Sequence, residues 1–179
     1  MENTKKVFYM RRNIIIFITF GVVLLLSVFL FNHTFSRSYH HIFTKTTDLS
    51  KENIEGLFLN DDFYSEAITK RYGKKTEQSR NVTNYDYFEL KKGIEIAVSE
   101  TGNITRFIIT NSSLETIKGI KIGDKKEDVI KVYGKNYYFR SEQGVDIIGY
   151  VDKKSDTSIE FWLFDGKVDI YKLDNKSMK

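Results

Sequence analysis

Eighteen consecutive residues, Ile14 to Phe31, carry no charge and are interrupted only by Thr19, Gly21 and Ser27. A helix of that length rises about 27 Å, close to the roughly 30 Å of a bilayer's hydrocarbon core. The run is apolar all round, whereas a helix lying on a globular core carries polar residues at helical spacing. A cleavable signal peptide has a shorter apolar region, about 7–15 residues, and small residues at its exit. Here the exit reads Asn32-His33-Thr34-Phe35-Ser36-Arg37, which fits an uncleaved anchor. Lys5, Lys6, Arg11 and Arg12 crowd the amino-terminal side, and Arg37 alone follows closely on the other. That asymmetry predicts a single-pass protein of the cell membrane, with a cytoplasmic amino terminus and its C-terminal domain outside. The expected organisation is a tail over 1–12, an anchor over 13–32, an aperiodic polar stalk over 33–50 and an outer domain beyond.

The chain carries 28 Lys and Arg against 24 Asp and Glu, a formal charge of +4. Four of those bases and one acid precede the apolar run, so the remainder lies within one charge of neutral. Interspersed signs without a basic stripe exclude phosphate neutralisation, and with it nucleic-acid binding. Cysteine is absent, and histidine occurs only at His33, His40 and His41. Thiol, Ser-His-Asp and zinc chemistry are therefore closed to the outer domain. Adjacent His40 and His41 on an irregular segment do not aim at one ion. Asp152-Lys-Lys-Ser-Asp156 is too rich in lysine for a calcium loop and reads as a hairpin turn. Ser-x-x-Lys does not occur there, and Glu95 and Glu160, although equivalent by repeat, come with no sign of a sugar cleft. No catalytic residue, metal ligand or cofactor is assigned, and the chain is read as a non-enzyme.

The outer region contains one pattern twice. Ile54-Glu-Gly56-Leu57-Phe-Leu59 matches Ile117-Lys-Gly119-Ile120-Lys-Ile122, and Ile68-Thr-Lys-Arg-Tyr72-Gly73 matches Val129-Ile-Lys-Val-Tyr133-Gly134. Offsets that drift by only a few residues point to duplication, with units over 51–112 and 113–175. In the second unit Asp124-Lys-Lys-Glu127 has the form of a capping box opening a helix over 125–133, with Gly134 at its end. Asn60-Asp61-Asp62 takes the same place in the first. Strands follow each helix, closed by turns at Gly102-Asn103 and Asp165-Gly166. The expected fold class is α+β: an N-terminal transmembrane helix, then two helix-plus-antiparallel-strand repeats sharing one sheet of six to eight strands, helices on one face.

Lys118-Gly119-Ile120-Lys121-Ile122-Gly123-Asp124, followed by Asp128-Val129 and Tyr133-Gly134, resembles the helix-opening signature of small bacterial envelope αβ modules. These are the outer-membrane assembly lipoproteins of the SmpA/OmlA type, the CAP-associated domains of bacilli and the tandem-repeat β-lactamase inhibitor proteins. In the first copy Asn60 replaces the second glycine. The resemblance implies a non-catalytic module, in a bacterial and by its CAP-associated kin Gram-positive envelope, that binds other proteins through its sheet.

Alternation along the strands assigns faces. Ile159, Phe161 and Leu163 oppose Glu160, Trp162 and Phe164, and Val168 and Ile170 oppose Asp169 and Tyr171. The aliphatic set suits packing against helices. The other face, carrying Glu160, Trp162, Phe164, Tyr171 and Tyr150 with Phe107 and Tyr87 from the first unit, is the expected partner-binding surface, since aromatic side chains give large contact area at small entropic cost. The expected function is that of a membrane-anchored extracytoplasmic module binding or inhibiting an envelope protein. The alternative uses the same rings to stack on cell-wall glycan.

Overall fold

The structure, a computed structural model, describes residues 13–25, 27, 37–74, 78–82 and 84–178. The chain forms two compact units, Met1–His40 and His41–Lys179. In the first, residues 13–25 form helix α1, whose Ile14, Phe17, Ile18, Phe20 and Leu25 side chains are all exposed. Among the described residues no helix is long and apolar enough to cross a membrane. The expected span continues past residue 25 through positions that mostly lie outside the described residues, as does the expected tail over 1–12.

Helix α2 (Arg37–Phe43) replaces much of the expected aperiodic stalk. The linker also ends early. The Thr47 N–H donates to the Val151 carbonyl at 2.8 Å, and the Leu49 N–H to the Asp152 carboxylate at 3.1 Å. Leu49 itself lies in the main core. Burying that leucine offsets the entropy of ordering the segment, which sequence periodicity alone does not reveal.

The second unit is α+β, built on one antiparallel sheet. After α3 (Glu66–Tyr72) come β1 (Arg80–Val82), β2 (Tyr85–Lys91), β3 (Ile94–Ser99) and β4 (Ile104–Ile109). After α4 (Lys126–Tyr133) come β5 (Tyr138–Glu142), β6 (Val145–Asp152), β7 (Thr157–Phe164) and β8 (Lys167–Asn175), then a 3-10 turn, Lys176–Met178. The eight strands lie in the order β1-β2-β3-β4-β8-β7-β6-β5, so the last strands of the two halves meet in the middle. Asp165 and Gly166 both have positive φ, 48° and 72°, the twist that joins β7 to β8 through two residues.

Each helix buries one stripe, Ile68 from α3 and Val129 with Tyr133 from α4, against one sheet face. That face carries Phe88, Ile96, Phe107, Ile109, Ile148, Tyr150, Ile159, Phe161, Tyr171 and Leu173. The α4 cap falls one residue later than the sequence suggests. Asp128 accepts the Lys125 N–H at 3.2 Å, while the Asp124 carboxylate turns back to the Lys121 N–H at 2.9 Å. The loop before the helix captures Asp124, so Lys125 becomes the cap position.

The two halves make matching bonds. Asn60 N–H donates to Ile104 O and Ile104 N–H to Asp61 O; correspondingly, Gly123 N–H donates to Val168 O and Val168 N–H to Asp124 O. Asp61 accepts the Phe58 N–H as Asp124 accepts that of Lys121. Asn60 and Gly123 have φ of 70° and 94°, which explains why asparagine, the commonest non-glycine residue in that region, stands where the signature has glycine.

Candidate functional site

The seven residues expected on one open face divide between the two sides of the sheet. Tyr171, Tyr150 and Phe107 lie on the helix-covered side and are fully buried, which corrects their assignment. For Tyr171 the cause is a β-bulge. Leu163 pairs with Val168 but Trp162 with Ile170, leaving Asp169 as an extra residue. The alternation restarts there, so Val168 and Tyr171 share the core side and Ile170 joins Trp162. Phe107 follows the same rule: Ala97 pairs with Arg106 and Val98 with Ile104, and Thr105 is the extra residue. Tyr150 pairs directly with Ile159, and its hydroxyl donates to the Gly134 carbonyl at 3.0 Å. Burial pushes the pKa of the Tyr150 and Tyr171 phenols upward.

Glu160, Trp162, Phe164 and Tyr87 do occupy the opposite side. Glu160 is buried there, accepting from Tyr138 Oη at 2.5 Å, Arg140 Nη2 at 3.0 Å and Trp162 Nε1 at 3.2 Å. Burial alone would lower the Arg140 pKa, but Glu160 and Glu142 raise it, so the guanidinium stays charged. Tyr87 is buried with Ala97, Ile108 and Met178, and the Tyr85 hydroxyl donates to the Ser177 carbonyl at 2.8 Å. The carboxy-terminal turn therefore covers the first half of this face. Beside it, Arg106 grips Asp174 with two bonds, Nε at 2.5 Å and Nη2 at 2.9 Å.

Trp162 and Phe164 remain accessible. Trp162 is half-buried, with Lys172 Nζ 3.5 Å and Arg140 Cζ 5.6 Å from its ring centroid. Phe164, at the tip of the β7–β8 hairpin, is 68% exposed. The arrangement places one half-buried aromatic ring between charged side chains, with an exposed ring two residues along the same strand. No group of three His, Asp or Glu side chains among the described residues is placed to hold a metal.

A second site was not anticipated from the sequence. Glu52 is buried on the helix side of the sheet, where it accepts the Tyr133 hydroxyl at 2.8 Å and the Ile117 N–H at 3.3 Å. It borders a cleft of about 140 Å³ lined by Asp48, Leu49, Lys51, Glu52, Ile117 and Lys118. Burial raises the Glu52 pKa, opposed by its two hydrogen bonds and by Lys118. Burial and the Glu52 charge raise that of Tyr133 strongly. Nothing local marks Glu52 in the sequence; only the repeat places Tyr133 at a helix end, and the tertiary fold brings the two together.

No protein-family model matches the sequence, and no curated protein matches it. Among solved structures, an extracellular protein containing an SCP domain from Bacillus anthracis is similar over 75% of this chain and 49% of its own, with 10% identity and a TM-score of 0.49. A cysteine-rich secretory protein from Staphylococcus aureus is similar over 67% of this chain and 45% of its own, with 12% identity and a TM-score of 0.47. A DUF4309 family protein from Bacillus subtilis is similar over 62% of this chain and 76% of its own, with 16% identity and a TM-score of 0.40. The similarity to the first two proteins spans just under half the length of each.

Proposed function

We propose that this protein is a membrane-anchored, extracytoplasmic, non-enzymatic module that binds or inhibits another protein of the cell envelope. Its domain is a duplicated helix-plus-strands unit of the kind its signature resembles. The matching bonds at Asn60 and Gly123 and the paired bulges at Thr105 and Asp169 support the duplication. The apolar side chains exposed along α1 support anchoring.

The observation that carries the binding reading is Phe164, 68% exposed next to a Trp162 fixed by Glu160 and Lys172. A free ring beside a preorganised tryptophan is the composition of an interface anchor. A lysine 3.5 Å from the Trp162 centroid counts against the glycan alternative, because it occupies a ring face on which a sugar would stack.

The test is capture from solubilised bacterial envelopes with the full-length protein in detergent, run beside Phe164→Asp. A specific protein retained by the wild type and lost with Phe164→Asp, and not displaced by soluble glycan, is the expected outcome. Equal capture by both proteins, or release by glycan, would defeat the reading.

A further inference from the structure

Glu52 is a buried carboxylate that, unlike Asp174 and Glu160, has no ion pair, and a cleft opens beside it. Asp174 is paired with Arg106 and Glu160 with Arg140, and Asp152 accepts the backbone N–H groups of Leu49 and Lys154. Glu52 has the Tyr133 hydroxyl and one backbone N–H but no ion pair. A buried carboxylate with no direct ion pair is costly, Lys118 acting on it only through space, and the cleft beside it gives a cation room to reach it. On the same side of the sheet, the Tyr171 hydroxyl is also completely buried and has no hydrogen-bond partner.

The cleft also has a shape and a polarity. Its volume of about 140 Å³ is near that of cavities that hold benzene, room for about five or six non-hydrogen atoms. Its lining combines the apolar Leu49 and Ile117, the carboxylates of Glu52 and Asp48, and the lysines Lys51 and Lys118. An apolar stem ending in a positive charge suits a lining of that composition. The lysines on the lining are the competing cations, and Lys118 stands apart, its Nζ 4.6 Å from the Tyr133 centroid.

We propose that this cleft binds an alkylammonium group, its stem between Leu49 and Ile117 and its ammonium on Glu52, and that Lys118 competes with it. The group could be a free primary amine or the lysine side chain of another protein; both bring the same chemistry. The site lies across the sheet from Trp162 and stands or falls independently of it.

The probe is n-butylammonium, titrated into the full-length protein in detergent micelles and followed by calorimetry, with butyrate as the control. Saturable binding of the amine and none of butyrate is expected. Glu52→Gln should weaken binding at least about tenfold, the scale of losing a charge-assisted bond. Lys118→Ala should tighten it by removing the competitor. Binding by the wild type should weaken as acid protonates Glu52, with Asp48, Lys51, Lys118 and Tyr133 as the other titratable or charged groups around the cleft. A peptide with one internal lysine and acetylated amino terminus forms the second arm: tighter binding than butylammonium identifies a protein lysine, weaker binding a free amine. Absence of saturable binding, a preference for butyrate, or weaker binding with Lys118→Ala would overturn the proposal. The Lys118→Ala and acid-titration results decide it even if Glu52→Gln fails to fold.

Discussion

Glu52 and Tyr171 are polar atoms the fold buries at a cost, and each makes a measurable demand. Because burial raises the Glu52 pKa, the folded chain holds that proton more tightly than the unfolded one. Its contribution to stability is full below the unfolded value near 4.5 and is lost as pH rises through the folded value. Glu55 and Asp152, whose pKa values are lowered, act oppositely and lose their contribution in acid. The difference between wild type and Glu52→Gln isolates the first effect. Urea midpoints at a series of pH values should show the variant gaining on the wild type as pH rises from 4.5. A constant difference would mean that Glu52 titrates normally. Tyr171→Phe removes a hydroxyl with no partner while keeping the ring against Phe161. We expect it to raise stability by about 1 kcal/mol, read as a shifted urea midpoint. A fall of that size would reveal a bond from the hydroxyl to water or ligand.

Strand β8 shows what a sequence pattern conveys and where it fails. Glu160, Trp162 and Phe164 share one side of the sheet because β7 alternates without interruption, although Glu160 is buried there. Tyr171 falls on the core side because the bulge at Asp169 breaks the alternation, and Phe107, grouped with that face, lies beyond a matching bulge at Thr105; nothing in either residue type announces a bulge. Helix ends were legible from Gly73 and Gly134, and the β7–β8 turn from Asp165-Gly166, since these depend on local backbone conformation. The helix at Arg37–Phe43, the Leu49 docking and the Glu52 cleft depend on distant partners and left no local trace. The bulge is itself testable. Deleting Asp169 leaves every other residue of β8 on its present face, so the protein should still fold, losing about 1–3 kcal/mol. Deleting Lys172 exchanges the faces of Tyr171 and its neighbours relative to Leu173 and should abolish folding. Circular dichroism with urea titration separates the two.

At the scale of the whole molecule, the helix over 13–25 and the sheet domain make different demands on solvent. The exposed isoleucines and phenylalanines of α1 are unsuited to water, whereas the domain keeps its large apolar side chains mostly inside. Fusing reporters to the carboxy terminus tests the expected topology: one active only outside the cytoplasm should give signal, and one active only in the cytoplasm should be silent. The opposite pattern would overturn the assigned orientation.

The sheet joins its halves where β4 meets β8, through four residue pairs from Arg106–Asp174 to Ile109–Tyr171. Either half alone would end in a naked edge strand, with Phe107 and Ile109 or Tyr171 and Leu173 left beside solvent. The economical cover for such an edge is a second copy of the same half, turned about a two-fold axis. The middle of this sheet is built like a subunit interface carried inside one polypeptide, where tethering spares the entropy that two separate chains would lose on association. The two sides of that seam need not match, and they do not: one carries the accessible Trp162 and Phe164, the other the Met178-covered Tyr87.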